Sequence, residues 1–219
     1  MNMDLSALNL PANPVVIDCG CNEGQWLSHV KPQLKGRPKI VAIDMLYEEA
    51  KCCQLNHSDV LVVNTALSDC YEPLVARRHK CSQSSSILKM TELHNKVWGS
   101  PTHKPVNTER VYTTPLDRLM ERLMIEHVDL LKLDLQGYEL KALKGASYIL
   151  TQTDHVISEV SWAELYEEQV LFPELDEFMQ KAGFVWRQFY DPRYLPAEID
   201  GFIWKRGQMV CGDAWWSRK

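Results

Sequence analysis

Four acidic side chains, each closing a short apolar run, set the chemistry this chain can do. They are Asp18 after Val15-Val16-Ile17, Asp44 after Val41-Ala42-Ile43, Asp134 after Leu131-Lys132-Leu133, and Glu159 after Ile157-Ser158. Asp18 opens the turn Asp18-Cys19-Gly20-Cys21-Asn22-Glu23-Gly24. Glycines at 20 and 24 let the backbone turn sharply and let a ligand come close to it. A dinucleotide fingerprint needs GxGxxG, with pyrophosphate at a helix N-terminus. Here Cys21 takes the middle glycine position, and Glu23 adds negative charge where a phosphate would sit. A cationic sulfonium bearing an amino group tolerates that acid better than pyrophosphate does.

Asp44 stands where an acid can accept both hydroxyls of an adenosine ribose. Ala66, within Asn64-Thr65-Ala66-Leu67, is placed to line the adenine edge. Asp134 and Glu159 suit a base and its orienter, or two ligands for a hard divalent cation. Helix capping with salt bridges is the plain alternative for both. Alternation along the strand puts Lys132 on the same face as Asp134.

These residues need strands that end together. Pro14 to Ile17, Lys39 to Ile43, Val60 to Val63, Val128 to Leu133 and His155 to Ser158 read as strands buried on both faces. Helices are predicted from Gly24 to about Leu34, Leu46 to Asn56, Tyr138 to Leu150 with a break near Gly145, and Pro173 to Ala182 with Gly183 as its stop. Another starts at Thr114 as N-cap with Pro115 in its first turn, and carries the stripe Leu116, Leu119 and Leu123. Phe184 to Tyr190 and Gly201 to Trp204 follow without an intervening helix, which predicts an antiparallel closing pair. The expected architecture is one α/β domain over 1–219, a doubly wound, mostly parallel seven-stranded sheet with one reversed strand. A hairpin or loop is inserted at about 68–110, and its serine-rich part, Lys80 to Ser100, is expected to cover the acceptor pocket as a mobile segment. The tail Trp215 to Lys219 has no assigned place.

Composition narrows the function classes. The 219 residues are 45% hydrophobic and 24% charged, an ordinary mix for one globular domain. A net charge of -5 argues against a surface that wraps nucleic acid; the one basic run is Arg77-Arg78-His79-Lys80. No apolar stretch has membrane-spanning length. Met1 to Leu10 holds no basic residue and no long apolar run, so a secretory signal is not expected and a cytoplasmic location is. The seven cysteines show no CxxC pair, which fits reduced thiols better than zinc. The seven histidines occupy no position that marks catalysis.

The ordered set of motifs resembles the FkbM-type methyltransferases, a branch of the class I S-adenosylmethionine-dependent fold. The matching elements are Asp18 to Gly24, Thr114-Pro115-Leu116-Asp117, Leu131 to Glu139, Leu143-Lys144-Gly145-Ala146, Ser158-Glu159 and Asp200-Gly201-Phe202-Ile203-Trp204. Ser84-Ser85-Ser86 falls where the family often carries serines. Lys132 to Glu139 is the most specific part, and the likeness spans roughly Pro14 to Arg206. It implies S-adenosylmethionine as cofactor, held at Asp18, Gly20, Asn22, Gly24 and Asp44, with Asp134 at the methyl-transfer site. It further implies O-methylation of a sugar or natural-product hydroxyl. Gln136 departs from the family, many members of which have glutamate there, and so is not expected to act as a base. Competing readings are a nicotinamide-dependent oxidoreductase, opposed by Cys21, and a non-catalytic cofactor-binding module, opposed by retention of both Asp134 and Glu159.

Overall fold

A computed structural model describes residues 3–98, 104–194, 198–199, 202–203 and 208–219. The main sheet begins with β1 (Val15–Cys19), β2 (Lys39–Asp44) and β3 (Leu61–Asn64), all parallel. The chain then leaves it for a small sheet of β4 (Ala66–Leu67), β5 (Pro73–Arg78) and β6 (Asn107–Thr114). It returns as β7 (Val128–Leu133) and β8 (Thr153–Ser161). β9 (Phe184–Tyr194) forms the far edge, the short pair β10 (Glu198–Ile199) and β11 (Phe202–Ile203) follows, and β12 (Met209–Arg218) comes last. The seven-stranded order is β3-β2-β1-β7-β8-β12-β9, with β12 antiparallel to both neighbours.

Six α-helices pack around these strands: α1 (Gln25–Val30), α2 (Tyr47–Asn56), α3 (Glu92–Trp98), α4 (Leu116–Arg122), α5 (Glu139–Lys144) and α6 (Phe172–Lys181). Alternate strand residues feed two cores. On one face Ile17, Ile43, Leu131 and Leu133 pack with Leu116 and Leu119 of α4, Leu143 of α5 and Met179 of α6. On the other face Val16, Ile40, Leu130 and Ile157 pack with Trp26 and Leu27 of α1 and Cys53 of α2. Both faces of the central strands are therefore covered, which is why those strands read as unbroken apolar runs.

The reversed strand is not where the sequence placed it. Phe202–Ile203 pairs only with Glu198–Ile199, while Asp200, Gly201 and Trp204 lie outside the described residues. The aromatic tail forms the strand instead: Trp216 is fully buried and donates from Nε1 to Asp176 Oδ1 of α6 at 2.8 Å. Two shorter differences have local causes. Thr114 ends β6, and Pro115, in extended conformation, precedes α4 as its cap. Pro32 closes α1 into a 3-10 turn over Lys31–Gln33. No helix among the described residues is long and apolar enough to cross a membrane.

Candidate functional site

Sheet order reverses direction between β1 and β7, and a cavity of about 790 Å³ lies at the carboxyl ends of the parallel strands there. Such a switch point is where open α/β sheets hold ligands. Because β12 runs the other way, its first residues, Cys211 to Asp213, reach the same end of the sheet and join the wall.

The glycine turn forms one side. Gly20 has φ 81°, and a Cβ there would lie 1.9 Å from the Asp134 carbonyl oxygen, so this crossing of two strand ends tolerates only glycine. Asn22 also sits in the left-handed region, at φ 48°. Its backbone N–H donates to Asp44 Oδ2 at 2.8 Å, and Leu46 N–H donates to Asp44 Oδ1 at 2.8 Å. Asp44 is thus oriented by two backbone donors, and each oxygen keeps a lone pair for another donor. Burial pushes its pKa up to about 6, although both backbone bonds oppose the shift. Ile43, Met45, Leu46, Ala66 and Leu67 give the apolar surround.

Asp18 and Gly24 do not line this cavity. Asp18 is fully buried beneath it, in register with Lys132 on the adjacent strand, whose Nζ lies 3.2 Å from Asp18 Oδ1. The same ammonium lies 3.5 Å from Asp134 Oδ2 and over the Trp26 ring. Asp18 therefore acts through Lys132. Gly24 has φ 88° before α1, and its carbonyl accepts from His57 Nε2 at 2.9 Å. A Cβ there would strike the His57 ring, so Gly24 shapes the turn from behind.

Asp134 and Glu159 do share the cavity, and Gln136 joins them. Gln136 Nε2 lies 2.6 Å from Asp134 Oδ1 and 2.7 Å from Glu159 Oε2. Burial and the facing acids Asp134, Glu139 and Asp213 raise the Glu159 pKa well above the usual carboxylate range. Glu139 is buried under the following turn, where its Oε1 accepts the N–H groups of Leu135 and Gly137. The donor set between Asp134 and Glu159 is an amide NH₂ with the Lys132 ammonium beside it. That set does not fit a divalent cation, which needs converging oxygen ligands. The metal option therefore falls away at this pair.

Sequence reasoning missed several wall residues. Asp213 pairs across the sheet with Glu159 and is 6% exposed. Its neighbours, Gly212 and Ala214, make no recognisable motif; the signal available was an acid inside an aromatic strand. His29, His79 and His94 also border the cavity, against the expectation that histidines stay out of the site. The serine-rich segment crosses it in a packed arrangement. Ser82 Oγ donates to Asn22 Oδ1 at 3.1 Å, Ser86 Oγ to the Gln136 carbonyl at 2.8 Å, and Tyr166 Oη to the Ser84 carbonyl at 3.2 Å. Its expected end, at Gly99 and Ser100, lies outside the described residues.

Asp213 carries a pH prediction. Burial, then Asp134, pushes its pKa up to about 7 from 3.8. Between those values the folded chain binds a proton that the unfolded chain has released, so this group's contribution to stability falls as pH rises from about 4 to about 7. Asp213→Asn should therefore raise the melting temperature at pH 8 and leave it nearly unchanged at pH 4. Equal melting curves for both proteins at pH 8 would remove the buried-acid assignment.

Comparison with known proteins agrees with this geometry. The chain is 26% identical over 216 residues to methyltransferase sdnD of Sordaria araneosa, covering 80% of this chain and 75% of that protein. Its fold resembles a crystal structure of methyltransferase FkbM from Methylobacillus flagellatus KT, with TM-score 0.57 and 12% identity over 96% of this chain. The chain spans 45% of that protein's length. It also resembles Aeropyrum pernix fibrillarin, solved with natively bound S-adenosyl-L-methionine, with TM-score 0.52 and 9% identity over 94% of this chain and 66% of the other. The sequence profile of the methyltransferase FkbM domain matches residues 18–186, from the acid of the glycine turn into the last edge strand, and on that match the chain belongs to the FkbM methyltransferase domain family.

Proposed function

We propose that the protein transfers a methyl group from S-adenosylmethionine to a hydroxyl oxygen of a small acceptor, a sugar or another natural product. One observation carries this reading: a ribose-binding acid, Asp44, and a carboxyl pair, Asp134 and Glu159, open into one cavity at the switch point of the sheet. The residues fit the cofactor. Asp44 offers free lone pairs to a ribose diol, and Ala66 and Leu67 offer an apolar edge to adenine. The acids Asp134, Glu159 and Asp213 oppose a sulfonium and an ammonium charge. A nicotinamide dinucleotide fits less well, because Cys21 replaces the glycine its pyrophosphate needs.

When bound, the cofactor supplies a methyl group made electrophilic by a cationic sulfur. The chain's residues then have to align the acceptor and take its proton. Asp134 is oriented for this by Lys132 and by Gln136. It accepts the hydroxyl proton as the new C–O bond forms, the S–CH₃ bond breaks and S-adenosylhomocysteine is released. Glu159, held neutral by its surroundings, can donate a hydrogen bond to a second acceptor oxygen. Incubation with methyl-tritiated S-adenosylmethionine and a panel of sugars, phenols and hydroxy acids, each matched by an amine analogue, tests the reading. Label in the hydroxyl compounds supports it. Label in the amines alone would replace it with N-methylation.

A further inference from the structure

We propose that Gln136 is a positioning residue for methyl transfer: one neutral amide fixes Asp134 and Glu159 together, and a carboxyl in its place would break the pair. The inference rests on the proposed reading of the site and adds to it a function for the residue that departs from the family pattern.

A side-chain amide has two hydrogens and one carbonyl. Gln136 commits all of them. Its Nε2 meets Asp134 Oδ1 at 2.6 Å and Glu159 Oε2 at 2.7 Å, while its Oε1 accepts from Tyr166 Oη at 2.6 Å. The reverse orientation would aim Oε1 at two carboxyl oxygens, so the network admits one orientation. The backbone is equally committed. Gln136 has φ 52°, a conformation that costs a residue with a side chain and persists only when its surroundings hold it. Ser86 Oγ donates to its carbonyl at 2.8 Å, and Glu139 Oε1 anchors the N–H groups on either side of it, those of Leu135 and Gly137.

Charged and titratable groups face this pair from every side. Lys132 comes from β7 and Asp18 stands behind it on β1. Glu139 comes from α5, Asp213 and Cys211 from β12, and Asp191 and Arg193 from β9. Cys81 and His94 come from the covering segment, with Tyr166 beyond β8. Acids outnumber bases here, and burial with those acids already raises Glu159. A third carboxyl at 136 would add repulsion and remove both donor hydrogens.

Two near-isosteric variants separate the consequences. Gln136→Met removes the hydrogen bonds without charge. Gln136→Glu removes them when ionised and restores one donor when protonated. With an acceptor found in the tritium panel, both should lose turnover on the order of 10²-fold at pH 8. Gln136→Glu should recover severalfold as pH falls to 6, and Gln136→Met should not. Calorimetry with S-adenosylhomocysteine should give wild-type affinity for both. Carbon-13 NMR of labelled glutamate carboxyls in that complex should show the Glu159 titration displaced in both variants, a readout independent of turnover. Wild-type turnover, pH profile and Glu159 titration in both variants, with normal S-adenosylhomocysteine binding, would overturn the inference and leave the cofactor reading standing. Failure of the wild-type protein to bind S-adenosylhomocysteine would overturn both.

Discussion

Asp134→Asn is expected to abolish most methyl transfer while leaving the fold and the cofactor affinity close to wild type. Asp134 stands just past β7, and its N–H donates to the Cys19 carbonyl at 2.9 Å, a bond the substitution keeps. Asparagine can still present an oxygen to Gln136 Nε2 and to Lys132, so the packing around it survives. It cannot accept the acceptor's proton. Loss of a positioned base costs roughly 10²–10⁴-fold in turnover. The measurement is the rate of tritium transfer alongside thermal denaturation and calorimetry with S-adenosylhomocysteine. Normal turnover would reduce Asp134 to a structural partner of Lys132. A large drop in melting temperature would assign it to folding instead.

The second large effect falls on cofactor binding. Asp44→Ala removes an acid that is 8% exposed at the end of β2. In a ribose-bound state it would lose up to two charge-assisted hydrogen bonds, about 2–4 kcal/mol of binding. The same substitution frees the N–H groups of Asn22 and Leu46, which loosens the glycine turn itself. Asp44→Asn separates these effects. Its one remaining acceptor can satisfy one of those N–H groups, so the turn suffers less while the diol still loses an ionised partner. Both variants should weaken S-adenosylhomocysteine binding, alanine more than asparagine. An unchanged dissociation constant in both would remove Asp44 from the cofactor site.

The parallel part of the sheet was legible because burial on both faces leaves no alternative to continuous apolar runs. Those runs end in the acids that frame the site, so Asp44, Asp134 and Glu159 could be found from position alone. The reversed strand was not legible for the opposite reason. β12 carries Gly212, Asp213, Ser217 and Arg218 among its tryptophans, and its polar positions become acceptable only through partners on β8, β9 and α6. No local pattern announces such partners. Asp213 was hidden with it.

Asp18 shows a different limit. Its place before the glycine turn matches a cofactor contact, yet the β1–β7 register sets it beside Lys132 and buries both. Register between strands distant in sequence is tertiary information. Gln136 is the converse case. Read one residue at a time, an amide in place of an acid is a loss; placed between Asp134 and Glu159, it is the group that lets them share one cavity.

The central claim is that the cavity spanning Asp44 and Asp134 holds S-adenosylmethionine. Its most direct test is calorimetric titration of the wild-type protein with S-adenosylhomocysteine, with NAD as the control, followed by the same titration of Asp44→Ala. Saturable one-to-one binding of S-adenosylhomocysteine, no binding of NAD and marked weakening in the variant are the predicted results. Binding of NAD with none of S-adenosylhomocysteine would contradict the claim.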